Sequence, residues 1–303
     1  MHYRIRHTTR YHYPERVVLC HNRVQLQPAE RDDQRTLSFD LKVAPEPTLV
    51  RPFEDFFGNR THYFEIHRPH TDLEITATSE VIRLTGPVSS LPPSPPWEAV
   101  RAAILGADPS PRTRVNRLYT LASPLVVPNP ALVAIADQHL TPGRPLLEAV
   151  MALTLWIHES FAYAPGTTSV STPLDQVLDQ RAGVCQDFAQ VAIGALRALA
   201  LPARYVSGYL ETQPPPGQPR LQGADASHAW FEIFLPGSGW FGFDPTNASR
   251  PADRHLVLAV GRDYADVPPV KGVVAGGREH RLTVAVDVLP LTTPPTDTPA
   301  TTS

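Results

Sequence analysis

A proline-rich segment near position 90 divides the sequence into two parts that have different hydrophobic periods. Through residue 85, apolar and polar residues alternate, which predicts short β-strands. Residues 86–96 (GPVSSLPPSPP) contain five prolines, and such a chain stays extended because proline fixes φ and lacks a backbone N–H. Beyond it, several stretches repeat apolar residues at the helical period. The sequence therefore predicts an α+β protein whose first part is all β.

The local patterns predict individual elements in both parts. At least six short strands are expected before residue 85, with a hairpin at residues 56–61, and they would form a compact antiparallel sandwich or barrel. Helices and later strands are predicted at Thr113–Leu121, Ala131–His139, Pro145–Phe161, Leu201–Leu210, His255–Val260 and His280–Leu289. We predict a β domain at 1–85, a linker at 86–97, a core domain at 98–289 and a disordered tail at 290–303.

Charge and cysteine content narrow the class of protein. The chain has 27 Lys and Arg against 30 Asp and Glu, a net charge of −3, and no basic run with interleaved aromatic residues, so we expect no nucleic-acid partner. Two cysteines give no disulfide framework. The first residues form no hydrophobic signal region and no apolar run has membrane-spanning length. We therefore expect a cytoplasmic protein with no membrane contact.

Histidines are numerous in the first part of the chain, where a metal site is the functional alternative to scattered surface residues. They are His2, His7, His12, His21, His62, His67 and His70. None has the Cys/His spacing of a zinc site, and strand alternation distributes them over both faces of a sheet. We expect no metal site and no organic cofactor.

Residues 181–190 (RAGVCQDFAQ) position Cys185 where a loop leads into a helix. The helix is indicated by apolar residues at helical spacing: Phe188, Val191, Ala192, Ala195, Leu196 and Leu199. In a first helical turn, free backbone N–H groups and the helix dipole favour an anion, so a thiolate would be stabilised there. A buried structural thiol is the alternative for a lone cysteine.

Two aromatic stretches downstream predict a β-hairpin that brings a histidine and an aspartate together. Residues 225–234 (DASHAWFEIF) and 239–247 (GWFGFDPTN) flank a Pro/Gly/Ser connector. With the hairpin centred at position 236, His228 and Asp244 would be directly opposed, with Cβ atoms about 4.5–5.5 Å apart. A carboxylate at that distance can hold the imidazole tautomer. A core histidine and a turn aspartate are the structural alternatives.

A thiol at a helix start and an oriented histidine form the arrangement used in nucleophilic acyl transfer. His228 would take the proton of Cys185, Asp244 would orient the ring, and the Cys185 amide would donate to the oxyanion. Cys–His–Asp in this order favours a catalytic interpretation of all three residues.

These residues lie in motifs that resemble bacterial transglutaminase-like proteins, which are often described as cysteine proteases. The motifs are GVCQDFA at 183–189, LPARYVSGY at 201–209, ASHAW at 226–230 and GWFGFDPTN at 239–247. Residues 3–13, 55–59 and 261–269 resemble the segments before and after that core. The resemblance implies a papain-like transglutaminase core, with a helix-borne cysteine packed on an antiparallel sheet, after an all-β domain. It also implies a triad of Cys185, His228 and Asp244.

Four further residues are candidates for oxyanion stabilisation or substrate binding. Tyr163 is the candidate for a second oxyanion donor, because related enzymes often take one from upstream of the cysteine. Gln186 and Asp187 follow the cysteine, and Asp187 is favoured as a partner of the helix N-terminus over a substrate-facing carboxylate. Trp230 is favoured as a core or cleft-wall aromatic over a stacking platform.

The sequence thus favours a cysteine-dependent acyl-transfer enzyme with a peptide or protein substrate. We expect a cysteine peptidase or amidase if water resolves the thioester and a transglutaminase if an amine does. A CoA-dependent N-acyltransferase and a non-catalytic peptide-binding module remain alternatives, although no Gly-rich or basic phosphate-binding stretch is present. The pattern leaves the oligomeric state open.

Overall fold

The computed structural model describes residues 1–84, 90–107, 109–212, 227–277 and 279–291, and its strands form two large antiparallel sheets and one small parallel pair. The strands are β1 His2–Val24, β2 Gln34–Ala44, β3 Leu49–Glu54, β4 Arg60–Ile66, β5 His70–Arg83, β6 Ala162–Tyr163, β7 Ala182–Gly183, β8 Ala203–Leu210, β9 Ser227–Leu235, β10 Gly239–Phe243, β11 His255–Gly261, β12 Val270–Gly276 and β13 Arg281–Leu291.

Helices occupy the middle of the chain. They are α1 Trp97–Leu105, α2 Pro111–Asn116, α3 Pro130–His139, α4 Leu146–Ser160, α5 Leu174–Gln180 and α6 Cys185–Ala198, with 3-10 turns at Arg117–Thr120 and Tyr264–Asp266. The single helix predicted at 113–121 is therefore a short α-helix followed by a 3-10 turn. None of the helices in the described ranges is long and apolar enough to cross a membrane.

Strand β1 is the centre of the first sheet. One edge of it pairs with β5 and then β4, and its other edge pairs with β13 and then β12. The change of partner falls at a register break between His12 and Val17, where an irregularity lets a 23-residue strand curl. The short strands predicted within residues 3–24 are thus one continuous strand.

Strands β12 and β13 belong to this first sheet, although the sequence analysis placed residues up to 289 in the core domain. Both pair with β1 and not with the core sheet, because without them one edge of β1 would expose a long row of unpaired backbone groups. The predicted tail also begins too early, since residues 290 and 291 lie in β13. Residue 85, residues 86–89 of the predicted linker and residues 292–303 of the predicted tail lie outside the described residues.

The second sheet has the strand order β10-β9-β8-β11, and helix α6 packs on β8 and β9. Helices α3, α4 and α5 cover the other side of α6, so the helix is buried from Gln186 to Arg197 on all sides and not on one face only. A helix enclosed in this way is fixed at its first residue. The predicted α+β class, with a cysteine-bearing helix on an antiparallel sheet after an all-β region, is confirmed.

The first sheet and its loops protect the outer edge of β11. The side chain of Gln34 makes two hydrogen bonds with the backbone of Val257, at 2.7 and 2.8 Å, and the side chain of Asn59 makes two with Val260, both 2.8 Å. These side-chain amides satisfy backbone groups that an edge strand would otherwise expose. The N-terminal region is therefore attached to the core by polar contacts as well as apolar ones.

Candidate active site

Cys185 is half-buried and is the first residue of α6, separated from β7 by Val184 alone. The short parallel pair of β6 with β7 fixes the chain before it, since the Ala164 amide donates to the Gly183 carbonyl at 2.9 Å. At this first helical position the backbone amide has no partner within the helix. The site therefore combines a thiol with an N–H group and the positive end of a helix dipole.

His228 and Asp244 are in contact, although the hairpin register differs from the predicted one. Strands β9 and β10 pair with Phe243 opposite Phe231, so the hairpin is centred at residue 237 and His228 and Asp244 are diagonal neighbours. A shift of this size keeps both side chains on one face. His228 Nε2 donates to Asp244 Oδ2 at 2.7 Å.

The Asp244 carboxylate is fully buried and accepts five hydrogen bonds. Oδ2 accepts from His228 Nε2 at 2.7 Å, from Asn247 Nδ2 at 2.7 Å and from His255 Nε2 at 3.0 Å, and Oδ1 accepts from the amides of Thr246 and Asn247. Burial alone would raise its pKa, but the hydrogen bonds from the two histidines hold the pKa well below the usual range. Asp244 is therefore a fixed anion.

His255 is a site residue that the sequence analysis missed. Its Nδ1 accepts a hydrogen bond from the Ala252 amide at 3.2 Å, so its proton is on Nε2 and points at Asp244. Burial lowers its pKa, against the opposing effect of Asp244, and this keeps the ring neutral. The only sequence signal was a histidine at the start of a strand-like run. Its contact with Asp244 depends on the order of strands in the sheet, which the sequence pattern does not give.

Asn247 was also missed as a site residue, although the DPTN motif contains it. Its side chain bonds the same carboxylate oxygen as the two histidines. The position three residues after Asp244 in a tight turn is the signal that could have identified it.

His228 also interacts with Cys185. Because Nε2 is bonded to Asp244, Nδ1 is the ring nitrogen that can accept the thiol proton. Burial opposes protonation of His228, but the contacts with Asp244 and Cys185 outweigh it and raise its pKa to about 10. The pair can therefore exchange a proton to give thiolate and imidazolium.

Gln186 and Asp187 attach the start of α6 to neighbouring loops. Asp187 Oδ2 accepts from the Val184 amide at 2.8 Å and from Thr168 Oγ1 at 2.7 Å, the contacts of a helix cap. Burial raises its pKa, and these hydrogen bonds oppose the rise. Gln186 Nε2 donates to the Val170 carbonyl at 3.3 Å. Both side chains hold the loop that contains Thr168 and Val170 beside the cysteine.

The two aromatic candidates occupy different environments. Tyr163 is 56 % exposed, and its ring lies 6.3 Å from that of Phe188 in a T-shaped contact. Partial burial and the nearby Cys185 raise its pKa, so its hydroxyl remains a neutral donor near the thiol. Trp230 is buried, and its ring is 5.9 Å from that of His228 and 5.3 Å from that of His255. Trp230 therefore supports both histidines from within the core.

The same cluster contains residue types that bind metal ions. His228 Nε2, Asp244 Oδ2 and His255 Nε2 lie within 4.8 Å of one another. Their nitrogen–oxygen separations of 2.7 and 3.0 Å are those of hydrogen bonds, and His255 Nε2 carries a proton. The arrangement is a hydrogen-bonded network that orients His228.

Comparison with known proteins gives the family. Residues 3–82 match the family model described as bacterial transglutaminase-like N-terminal region, and residues 133–245 match the transglutaminase-like superfamily. The second match includes Cys185, His228 and Asp244.

Relatives match over nearly the whole chain or over the core alone. An uncharacterized protein of Mycobacterium tuberculosis is 38 % identical over 297 residues, covering 95 % of this chain and 92 % of the relative. A protein-glutamine gamma-glutamyltransferase of Pseudomonas aeruginosa is 35 % identical over 150 residues, which are 46 % of this chain and 22 % of that protein.

A solved structure supports the fold. A crystal structure from Cytophaga hutchinsonii, described as a "putative cysteine protease", superposes with a TM-score of 0.72 at 22 % identity, covering 97 % of this chain and 93 % of that one. The predicted family is confirmed: this chain belongs to the bacterial transglutaminase-like proteins of the transglutaminase-like superfamily.

Proposed function

We propose that this protein is a cysteine-dependent acyl-transfer enzyme that acts on peptide or amide bonds through Cys185, His228 and Asp244. The observation that carries the proposal is the His228 ring, which is bonded to the buried Asp244 carboxylate through Nε2 and interacts with Cys185 at the start of α6. A histidine so oriented can accept the thiol proton and later return it.

The reaction starts when the Cys185 proton moves to His228 Nδ1 and the thiolate attacks the substrate carbonyl carbon. The carbonyl π electrons move to oxygen, and the amide of Cys185 donates to the resulting oxyanion. Tyr163 is our candidate for a second donor. When the carbon–nitrogen bond breaks, imidazolium gives its proton to the leaving amine and a thioester remains on Cys185.

Water then completes the cycle in a peptidase or amidase. The water oxygen attacks the thioester carbon while His228 accepts a proton from the water. The carbon–sulfur bond then breaks, the carboxylic acid leaves, and His228 returns the proton to the Cys185 thiolate. The residues around Asp244 keep His228 in the correct tautomer during both steps. None of these steps requires a metal ion or organic cofactor.

An amine acceptor is the second candidate. The relative from Pseudomonas aeruginosa that matches 150 residues of this chain is named a protein-glutamine gamma-glutamyltransferase. The acyl donor would then be a glutamine side chain, and a primary amine would replace water in the second step. Both candidates share the thioester.

The first test is the rate of Cys185 alkylation by iodoacetamide as a function of pH, measured by peptide mass. Cys20 is fully buried and serves as the internal control. We expect rapid alkylation of Cys185 at neutral pH, lost in His228→Ala and retained in His158→Ala, whose side chain bonds the Thr246 carbonyl. Equal reactivity of Cys185 in all three proteins would favour the binding module instead.

The acceptor is tested with a glutamine-containing peptide, with and without a labelled primary amine. Hydrolysis gives the free acid in both mixtures, and transamidation gives the labelled peptide only when the amine is present. Cys185→Ala should give neither product. Cleavage of the peptide backbone would identify a peptidase.

A further inference from the structure

A second group of metal-binding residue types lies in the first sheet, outside the candidate active site. It consists of His21 on β1, Glu65 on β4 and His67 just after β4, and we call it the His21 cluster. The ligand atoms His21 Nδ1, His67 Nε2 and one Glu65 oxygen lie within 4.8 Å of one another. Two imidazoles and a carboxylate are a common ligand set for divalent transition metals.

The strand pairing explains why these residues meet. His21 is directly opposite Glu65 in the β1–β4 ladder, and His67 follows Glu65 by two residues, on the same side of an extended chain. Glu65 and His67 lie 44 and 46 positions after His21 in the sequence, so no short sequence spacing reveals the cluster.

The distances distinguish this cluster from a simple ion pair. His21 Nδ1 is 3.4 Å and His67 Nε2 is 3.5 Å from the same oxygen, Glu65 Oε2. A hydrogen bond between a charged imidazole and a carboxylate is shorter, about 2.7–2.9 Å. Two ligand atoms on a tetrahedral ion with bonds of about 2.0–2.1 Å are separated by roughly 3.3–3.4 Å. The two observed separations are longer than a hydrogen bond and close to the second geometry.

A neighbouring hydroxyl shares two of the ligand atoms. Tyr63 OH is 3.2 Å from Glu65 Oε2 and in hydrogen-bond contact with His21 Nδ1, so an ion that binds Nδ1 must replace the second contact while Tyr63 donates to Glu65. Tyr63, Glu65 and His67 alternate along one chain, so all three side chains lie on one side. The Glu65 side chain is 19 % exposed and the His67 side chain 51 %, which leaves solvent access for an ion and a water ligand.

We propose that the His21 cluster binds a divalent transition-metal ion, with Zn²⁺ as its best fit, through His21 Nδ1, His67 Nε2 and Glu65. The two imidazole nitrogens argue against Mg²⁺ and Ca²⁺, because these ions prefer sites made only of oxygen ligands. The ion would join β1 to the end of β4 and so stabilise the first sheet. Its binding is independent of acyl transfer at Cys185.

The test is zinc binding by the full-length protein, measured by equilibrium dialysis after removal of metal with a chelator. Wild type and Cys185→Ala should each bind one Zn²⁺ at this cluster, and His67→Ala and Glu65→Gln should each weaken that binding at least tenfold. The matched control is His12→Ala, because His12 on the same sheet pairs with a single carboxylate, that of Asp72. It should bind like wild type.

Two further measurements make the test decisive. Melting temperature without metal should be similar in wild type and His67→Ala, and added Zn²⁺ should raise it only in proteins with an intact cluster. Bound Co²⁺ should show a tetrahedral spectrum without a thiolate charge-transfer band. Uptake that is absent, that is equal in His67→Ala and His12→Ala, or that is lost only in Cys185→Ala would overturn the proposal.

Discussion

Replacing Asp244 by asparagine tests the orientation of His228, because asparagine keeps the shape of the side chain and removes its charge. The amides of Thr246 and Asn247 donate to Oδ1, so the asparagine oxygen must take that position. Its NH₂ group then replaces Oδ2 and faces the N–H groups of His228 and His255. The asparagine NH₂ group cannot accept the hydrogen bonds that His228 Nε2 and His255 Nε2 now donate to Oδ2.

The expected loss of acyl-transfer activity is large. To accept from the new amide, His228 must move its proton from Nε2 to Nδ1, where it faces the thiol and cannot take its proton. The pKa of His228, now about 10, would also fall toward the ordinary value of 6.5. At pH 8 that change alone lowers the protonated fraction about 30-fold. Together with the wrong tautomer, we expect kcat/KM to fall by about 10⁴, the loss found when asparagine replaces the aspartate of a Ser–His–Asp triad.

Stability should change much less than activity. His255 cannot shift its proton to Nδ1, because that atom accepts from the Ala252 amide, so one buried donor is left without a partner. An unsatisfied buried group costs about 1–3 kcal/mol in the free energy of unfolding. The variant should therefore remain folded at room temperature, as measured by denaturant titration.

The assay is kcat/KM as a function of pH, with Cys185 alkylation as a substrate-independent readout. Wild type should lose activity on the alkaline side near pH 10, where His228 deprotonates, and the variant should lose it at a lower pH. Asp263→Asn is the matched control, because Asp263 is equally buried and accepts hydrogen bonds from the Leu125 and Ala265 amides away from the site. An alkaline limb that is the same in all three proteins would refute the reasoning.

Three other predictions concern the surroundings of the site. His255→Ala should lower kcat about tenfold with little change in KM, and His255→Gln, whose amide can still donate to Asp244, should recover most of it in the same assay. Burial lowers the pKa of His7 to about 4. As the pH falls, the unfolded chain therefore binds a proton at His7 before the folded protein does. The free energy of unfolding should fall by about 3 kcal/mol from pH 6.5 to 4. Denaturant titrations at both pH values should show a smaller fall in His7→Gln. Gly208→Ala should destabilise the protein by about 1–3 kcal/mol or more in thermal unfolding, because its Cβ would lie 2.5 Å from the Trp230 ring; an unchanged melting temperature would contradict this packing.

The fold was predictable as far as periodicity determines it. Alternation identified the strands before residue 85, and the helical repeat after Cys185 identified α6. Alternation states which face of a strand is buried and not which strand is its neighbour, so the sequence could not assign β12 and β13 to the first sheet. That assignment depends on the unpaired edge of β1, which exists only once the sheet forms.

The candidate site was predictable where its residues lie close along the chain. The hairpin brought His228 near Asp244, but the three-residue turn at 236–238 set the register two residues away from direct opposition. The contact survived because an even shift preserves the face. His255 could not be found in this way, because it reaches Asp244 from β11, at the opposite edge of the sheet from β10.

The position of His255 connects the N-terminal region to the proposed triad. Strand β11 carries His255, and its outer edge is held by the side chains of Gln34 and Asn59 from the first part of the chain. His255 in turn donates to Asp244, which orients His228. The first sheet and its loops are therefore part of the support of the Asp244 carboxylate, because they fix the strand from which one of the carboxylate's three side-chain donors comes. We expect that removing the Gln34 or Asn59 contacts with β11 would first weaken the orientation of His228.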